Sequence, residues 1–173
     1  MTSKRKIILF IATSLDGYIA RADGSIDWLF TDADYGYREF YASIDTTLMG
    51  RKTYEQVRTM GPFPYPEKHN YVFTHQRQGE DEHVTFVNKD AVGFIRDLKA
   101  QDGGDIWLIG GGGLIQTCLQ DQLIDELRIF IHPVILGEGL PLIPSPSPSV
   151  NMEVIRQGMY DNGLVEVHYH FKY

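Results

Sequence analysis

Residues 108–119 read LIGGGGLIQTCL and place four consecutive glycines between an apolar, strand-like run at 105–109 and an apolar, helix-like run. Glycine costs about 1 kcal/mol in a helix and weakens a strand, so four together indicate that something comes close to this backbone. A bare helix N-terminus attracts phosphate through its free N–H groups and its dipole. The other interpretation is a tight strand–helix turn, and this stretch alone leaves both open.

The glycine run does not match the common phosphate-binding fingerprints. The dinucleotide fingerprint G-x-G-x-x-G needs a glycine where Ile115 stands, because that glycine packs the helix against the strand. A P-loop needs Lys-Ser or Lys-Thr after the glycines, and Leu-Ile follows them here.

A second stretch, LMGRKTYE at residues 48–55, repeats the strand–turn–helix arrangement. A strand ends at Met49, Gly50 makes the turn, and two cations follow at the start of a helix, where they oppose its dipole. They are explained if an anion shares that helix end, although a solvated basic turn is the alternative. Together the two stretches predict two helix N-termini at the carboxyl ends of strands in one sheet, where ligands bind in open α/β folds.

Strand and helix patterns alternate along the first part of the chain. Apolar runs at 7–12, 47–49, 71–73, 84–87 and 106–109 predict strands buried on both faces, and helical patterns cover 34–43, 51–58, 89–101 and 113–119. Only strands follow, at 126–134, 152–159 and 164–173, with turn residues at 158–163 and an even-numbered wet face on the last strand. We predict a single α/β domain spanning 1–173, with a mostly parallel twisted sheet, flanking helices and a C-terminal antiparallel hairpin.

Composition excludes several classes of function. The net charge of −7 over 173 residues argues against nucleic-acid or membrane-surface binding, so an anionic ligand would need a local cluster of donors. The single cysteine, Cys118, excludes an internal disulfide and a multi-cysteine zinc site, and its apolar surroundings predict a core position. The apolar run after the basic N-terminus is too short for a signal peptide, and no run is long enough to span a membrane; we expect a soluble cytoplasmic protein.

Two further patterns have ordinary interpretations. His168 and His170 lie two residues apart on one strand face, but without neighbouring cysteines or acids a solvated face is favoured over a metal site, and no metal is expected. The PSPSPS segment at 144–149 is either a polyproline docking motif or, more commonly, a rigid surface loop.

The segments MGRKTYE, IGGGGLI and FIATSLDGYIA resemble the dihydrofolate reductase-like superfamily. They are most similar to the branch that holds the riboflavin-pathway reductase domain and its single-domain relatives. The resemblance covers nearly the whole chain, and the motifs fall in the order of the family. It implies a dihydrofolate reductase-like fold, NADPH as the cofactor, a small-molecule substrate and a homodimer formed through the late strands.

The resemblance also implies which residues line the NADPH site, together with a cis peptide bond between Gly110 and Gly111. The implied residues are Ala12 and Ile19 at the nicotinamide, Gly50, Arg51, Lys52 and Thr53 at the pyrophosphate and 2′-phosphate, Thr74 and His75 at the adenine ribose, and Ile109, Gly110, Gly111, Gly112, Gly113 and Leu114 along the cofactor.

On the substrate side, the resemblance places the carboxylate that binds the pteridine in folate enzymes at Asp34, with Asp32 as a competitor. Either aspartate has a plain alternative as a helix cap or a first-turn acid. Arg38 stands where folate enzymes carry an aromatic residue, and Lys68 where they carry the arginine that binds the folate carboxylate. Because lysine serves phosphate well, these two cations favour a smaller phosphorylated substrate. Trp28 is predicted to wall the pocket or the core.

The function that the resemblance implies is NADPH-dependent hydride transfer of the type catalysed by 5-amino-6-(5-phosphoribosylamino)uracil reductase. In that reaction Asp34 or Asp32 would orient the ring or relay a proton. Dihydrofolate reduction is the alternative within the same class. A non-catalytic NADP-binding protein is the alternative from another class.

Overall fold

The computed structural model describes residues 4–76 and 79–173. Its helices are α1 (Tyr37–Ser43), α2 (Arg51–Thr59), α3 (Ala91–Ala100) and α4 (Gly112–Gln120). Its strands are β1 (Ile7–Ser14), β2 (Tyr18–Ala20), β3 (Ile44–Gly50), β4 (His69–Phe73), β5 (Gly79–Asp81), β6 (Val84–Val87), β7 (Asp105–Gly110), β8 (Glu126–His132), β9 (Leu140–Pro141), β10 (Asn151–Met159) and β11 (Val165–Lys172).

Nine of the strands form one sheet, in the order β10-β11-β8-β1-β7-β3-β4-β6-β5, and β2 pairs with β9 in a second, two-stranded sheet. The six from β8 to β6 are mutually parallel, whereas β10, β11 and β5 run antiparallel to their neighbours. The predicted α/β class, the mostly parallel sheet and the C-terminal hairpin are confirmed. Because the parallel strands share one direction, their carboxyl ends meet at one edge, which is where the cleft described below lies.

The two faces of the sheet carry separate cores. Along β3, Leu48 belongs to one core cluster and Met49 to the other, and along β7, Leu108 and Trp107 divide in the same way. Consecutive residues of a strand point to opposite faces, so a strand covered on both sides must be apolar at every position. This is why the central strands appear in the sequence as unbroken apolar runs.

The first predicted helix is shorter than its pattern indicated. It begins at Tyr37 and not at residue 34, because Tyr35 and Gly36 adopt left-handed backbone angles with φ of 50° and 77°, which a right-handed helix cannot contain. The short strands β2, β5 and β9 were not predicted. Two or three residues carry too little periodicity to be recognised in a sequence.

The even-numbered face of β11 was predicted to be wet, and this is wrong at Glu166. That side chain is 1% exposed and accepts hydrogen bonds from Arg128 Nε at 2.5 Å and from the Tyr160 hydroxyl at 3.0 Å. A buried carboxylate is stable when it is paired in this way. The alternating pattern of β11 alone does not reveal that Arg128, on the neighbouring strand, pairs with Glu166.

His168, on the same strand face, bonds to Glu126 through Nε2 at 2.8 Å. This hydrogen bond, and a second from Lys6, lower the pKa of Glu126 to about 2. His170 is exposed, and within residues 4–76 and 79–173 no cluster of three or more metal-ligating side chains occurs.

Cys118 is fully buried, as predicted, and burial raises its pKa to about 12. Over the same ranges, no helix is long and apolar enough to cross a membrane.

Candidate active-site cleft

A cleft of about 1450 Å³ lies at the carboxyl ends of the parallel strands. Every residue that the sequence assigned to the cofactor lines it, from Ala12 and Ile19 to Leu114. The cleft has two parts. We call the part at the ends of β3, β4, β6 and β7 the glycine half. The part beneath β1 and β8, lined by Phe10, Phe30, Tyr37, Trp107, Phe130, Asp34 and His132, we call the aromatic half.

In the glycine half, two backbone turns touch. A Cβ atom on Gly111 would lie 3.3 Å from the Cα atom of Gly50 and 3.4 Å from Thr53 Oγ1. Gly111 also has φ of 100°, a conformation that side chains disfavour. The turns therefore need glycine for their own contact and backbone geometry.

The two helices that follow these turns begin at the cleft without a side-chain cap. Gly50 precedes α2 and Gly111 precedes α4, and neither N-terminus has a side-chain acceptor for its first N–H groups. The first N–H groups of a helix have no partner within it. Two such ends beside each other suit a pyrophosphate.

The cis peptide bond expected between Gly110 and Gly111 is not found. Among the described residues the cis bond is at Ser145–Pro146. The chain reverses at the glycines through positive φ angles of 142° and 100°. Only glycine adopts such angles readily, so the reversal needs no cis bond.

The other two glycines face different surroundings. A Cβ on Gly112 would lie 3.2 Å from Pro144 Cγ, whereas a Cβ on Gly113 would meet no atom within 4 Å. Pro144 lines the cleft and begins the PSPSPS segment, which Gln116 anchors by donating to the Pro146 carbonyl at 2.5 Å. The segment therefore closes one wall of the cleft, and Gly113 opens onto empty space within it.

Cations gather in the glycine half. Arg51, Lys52 and Lys89 all line it, and Arg51 pairs with Glu55 one helical turn on, at 3.2 Å. Asn88 and Lys89 were not predicted as site residues. They directly follow β6, so the rule that ligands bind at the carboxyl ends of parallel strands would have found them.

The aromatic half is a box of ring side chains. Phe10 stacks on Phe40 with centroids 4.2 Å apart and tilts against Phe130 at 4.8 Å. Trp107 meets Tyr37 edge-on at 5.9 Å. None of these residues was predicted to bind substrate, because a core aromatic and a pocket aromatic look alike in a sequence.

The structure separates the two candidate aspartates. Asp34 lines the cleft and its carboxylate accepts a hydrogen bond from the Arg38 backbone N–H at 3.2 Å. Asp32 is not among the lining residues and accepts a hydrogen bond from the Tyr35 hydroxyl at 2.5 Å. Asp34 is therefore the carboxylate available to a ligand.

The three residues predicted to bind substrate lie elsewhere. Arg38 is 91% exposed and turns toward Asp34 at 3.7 Å. Lys68 donates to the carbonyls of Tyr41 and Ile44 at 3.0 and 2.9 Å, because the carbonyl groups at the C-terminal end of α1 attract an ammonium group. Trp28 is buried in the core and packs edge-on against the His132 ring at 5.1 Å. None of the three lines the cleft.

His132 was not predicted, yet it fixes a wall of the aromatic half. Its Nε2 atom accepts a hydrogen bond from the Phe30 backbone N–H at 3.2 Å, and its Nδ1 atom lies 3.2 Å from the Phe130 carbonyl. Only a neutral ring protonated on Nδ1 satisfies both contacts. Burial lowers the pKa of His132, which agrees with the neutral form.

Comparison with known proteins identifies relatives over nearly the whole chain. The family model described as the RibD C-terminal domain matches residues 5–165. The uncharacterized protein YwjB of Bacillus subtilis is 47% identical over 144 residues, which cover 80% of this chain and 83% of that protein.

Solved structures give the same picture. A Shewanella sp. PV-4 protein named for riboflavin biosynthesis superposes with a TM-score of 0.85 at 34% identity, covering 97% of this chain and 99% of the other. Dihydrofolate reductase from Enterococcus faecalis, in complex with NADP(H), superposes with a TM-score of 0.74 over the whole of both chains. At 20% identity the second likeness shows the shared fold.

Proposed function

The chain belongs to the RibD C-terminal domain family, and from this membership we propose that it is an NADPH-dependent reductase that delivers hydride to a small heterocyclic acceptor, in the manner of the riboflavin-pathway reductases. The observation that carries the proposal is the joining of two uncapped helix N-termini and an aromatic box within one cleft. A dinucleotide fits the first and a planar acceptor fits the second.

The glycine half has the donors that NADPH requires. The first N–H groups of α2 and α4 would hold the pyrophosphate, and Arg51 and Lys52, at the start of α2, would pair with the 2′-phosphate. Ala12 and Ile19 line the cleft from β1 and β2. Since β1 is the neighbour of β7 in the sheet, Ala12 lies on the strand of the aromatic half that adjoins the glycine half, and the nicotinamide would sit there. The bound cofactor would supply the hydride.

The aromatic half would do the rest of the work on the acceptor. Its rings would hold a planar molecule by stacking and would keep water from the reacting carbon. Asp34 is the one carboxylate among the described residues that line the cleft. It would orient the acceptor through its N–H groups or deliver the proton that accompanies the hydride.

The structure gives no binding residue for the phosphate of the expected substrate, 5-amino-6-(5-phosphoribosylamino)uracil, among the residues predicted to hold it. Arg38 and Lys68 were the residues expected to hold it, and neither lines the cleft. We therefore propose hydride transfer to a heterocycle without assigning a phosphate to it.

Two measurements test the proposed function. Calorimetry with NADPH should show binding. Absence of binding would contradict the proposed NADPH-dependent activity. NADPH oxidation should then be measured with 5-amino-6-(5-phosphoribosylamino)uracil, with its dephosphorylated form and with dihydrofolate. Turnover of dihydrofolate alone would contradict the riboflavin-type assignment. NADPH binding with no turnover of any heterocycle would favour a non-catalytic NADP-binding protein.

We also propose that the protein is a homodimer that pairs through the C-terminal hairpin. All nine residues of β10 are exposed, and they include Met152, Val154, Ile155 and Met159. A long edge strand with apolar side chains is normally covered, because its free N–H and C=O groups can extend a sheet in another chain.

A further inference from the structure

We infer that the aromatic half takes a planar heteroaromatic acceptor that carries no phosphate. The inference rests on the proposed function, which places the reacting end of the cofactor beside this half. It concerns the substrate class of the same site and reverses the expectation of a phosphorylated substrate.

The first observation is the distribution of charge along the cleft. Its described cationic lining residues, Arg51, Lys52 and Lys89, follow β3 and β6 and stand in the glycine half. In the aromatic half the one charged group among the described lining residues is the carboxylate of Asp34. A phosphate placed there would meet a like charge, and Arg38, which contacts Asp34 at 3.7 Å, is exposed outside the lining of the cleft.

The second observation concerns Arg128, the cation that packs behind this half. Its guanidinium carbon lies 5.3 Å from the Phe10 ring centroid and 5.6 Å from that of Phe130, and both rings line the cleft while Arg128 does not. Glu166 binds its Nε atom at 2.5 Å with both side chains largely buried. The charge of Arg128 is therefore already paired, and its guanidinium packs on two rings that line the cleft.

The third observation is that His132 cannot act as a cation in the structure as it stands. Its Nε2 atom accepts the Phe30 N–H, so a proton on that nitrogen would break the hydrogen bond that holds the wall. The free energy of pairing a phosphate with the imidazolium would then have to offset the loss of the hydrogen bond from the Phe30 N–H. The neutral ring instead adds another flat apolar surface, with its centroid 4.9 Å from that of Phe30.

The balance of free energies favours an acceptor without phosphate. Moving an anion from water to an apolar site without a pairing cation is strongly unfavourable. Stacking between aromatic rings contributes about 0.5–1.5 kcal/mol per pair beyond the buried area, and a cationic ring would also interact well with the aromatic faces and with Asp34. The matching ligand is thus neutral or cationic, planar and aromatic.

Matched ligand pairs test the inference. The protein is first titrated with NADPH, so that a failure of the proposed function shows itself as absence of cofactor binding. The complex with NADP⁺ is then titrated by calorimetry with 5-amino-6-ribosylaminouracil and its 5′-phosphate, and with 6-hydroxymethylpterin and its phosphate ester. We expect the unphosphorylated member of each pair to bind about tenfold more tightly or better, which is about 1.4 kcal/mol. Equal or tighter binding of the phosphate esters, or no binding of either unphosphorylated compound, would overturn the inference.

A gained charge provides the complementary test. Thr31 is exposed and lines the cleft on the loop before α1, so Thr31→Lys adds the missing cation without disturbing the core. We expect Thr31→Lys to improve binding of the phosphate esters, relative to the unphosphorylated compounds, about tenfold. Thr31→Gln, of similar length and no charge, should keep the wild-type ratio of the two affinities. If Thr31→Lys left the preference unaltered, the absence of a cation would not be its cause, and the inference would fail.

Discussion

Gly111 and Gly50 lie back to back, so close that a Cβ on Gly111 would stand 3.3 Å from the Cα atom of Gly50. This contact holds the starts of α2 and α4 beside each other, because each glycine directly precedes one of these helices. A larger residue at position 111 would push the two helix N-termini apart and would also be strained at φ of 100°. Gly111 therefore serves the protein backbone, whereas Gly113 opens onto the cleft.

This difference separates a structural glycine from a ligand-facing one. Gly113→Val should lower NADPH affinity at least tenfold while the free energy of unfolding changes by less than about 1 kcal/mol, because its side chain would project into empty cleft volume. Gly111→Val should instead destabilise the fold by more than 1 kcal/mol or so. Urea denaturation and NADPH calorimetry on both variants measure the two effects.

Gln120→Val is the matched control, since Gln120 is exposed at the other end of α4 and does not line the cleft. It should bind NADPH as the wild type does. Normal NADPH binding by Gly113→Val would show that the space above Gly113 is not used by the cofactor.

The glycine half of the cleft could be predicted from the sequence because its parts are local. Each consists of a strand, a glycine turn and a helix start within about ten residues, and backbone geometry of this kind leaves a direct mark on the choice of residue. The parallel sheet was predictable for a similar reason, since burial on both faces requires unbroken apolar runs.

Apart from Asp34, the aromatic half could not be predicted, because its parts come from separate segments. Lys68 lies in a position that a family would use for an anion, but its side chain can reach the carbonyls at the end of α1, and only the folded chain shows that it does. Arg38 is 91% exposed on α1, which begins three residues later than its pattern indicated. Phe10 and Phe130 meet through the pairing of β1 and β8, which is a contact across the sheet.

Cofactor preference should depend on Lys52. We expect the wild type to bind NADPH more tightly than NADH, and Lys52→Ala to reduce that preference about tenfold or more, since one charge-assisted hydrogen bond contributes about 1.5–3 kcal/mol. Calorimetry with both cofactors gives the ratio. Arg58→Ala removes the same charge from the same helix, but Arg58 does not line the cleft, so its ratio should stay at the wild-type value. Equal loss of preference in both variants would point to a general effect of net charge.

Dimer formation should depend on the exposed strand β10. Ile155 is 52% exposed on that strand, and Ile155→Lys should weaken the dimer about tenfold or more, because a charge would be buried without a partner in an apolar interface. Light scattering across micromolar concentrations measures the change. Ile135→Lys makes the same substitution on a 69% exposed residue outside the hairpin and should leave the dimer intact. A wild-type protein that is monomeric throughout would remove the proposed interface.

The pH dependence of stability should report the hydrogen bond between His132 and Phe30. Burial lowers the pKa of His132 below its ordinary value of 6.5, so the unfolded chain takes up a proton below that pH before the folded protein does. The free energy of unfolding should therefore be undiminished above about pH 6.5 and should fall as the pH is lowered, by at most about 1.4 kcal/mol per pH unit from this group. His132→Gln keeps an acceptor for the Phe30 N–H but cannot titrate. Urea denaturation between pH 5 and 8 should show that the free energy of unfolding declines more steeply with falling pH for the wild type than for His132→Gln. The affinity for the acceptor should show the same difference between the two proteins, because the wall that His132 holds belongs to the aromatic half. Parallel pH profiles for the two proteins would mean that the buried imidazole takes no part in setting that wall.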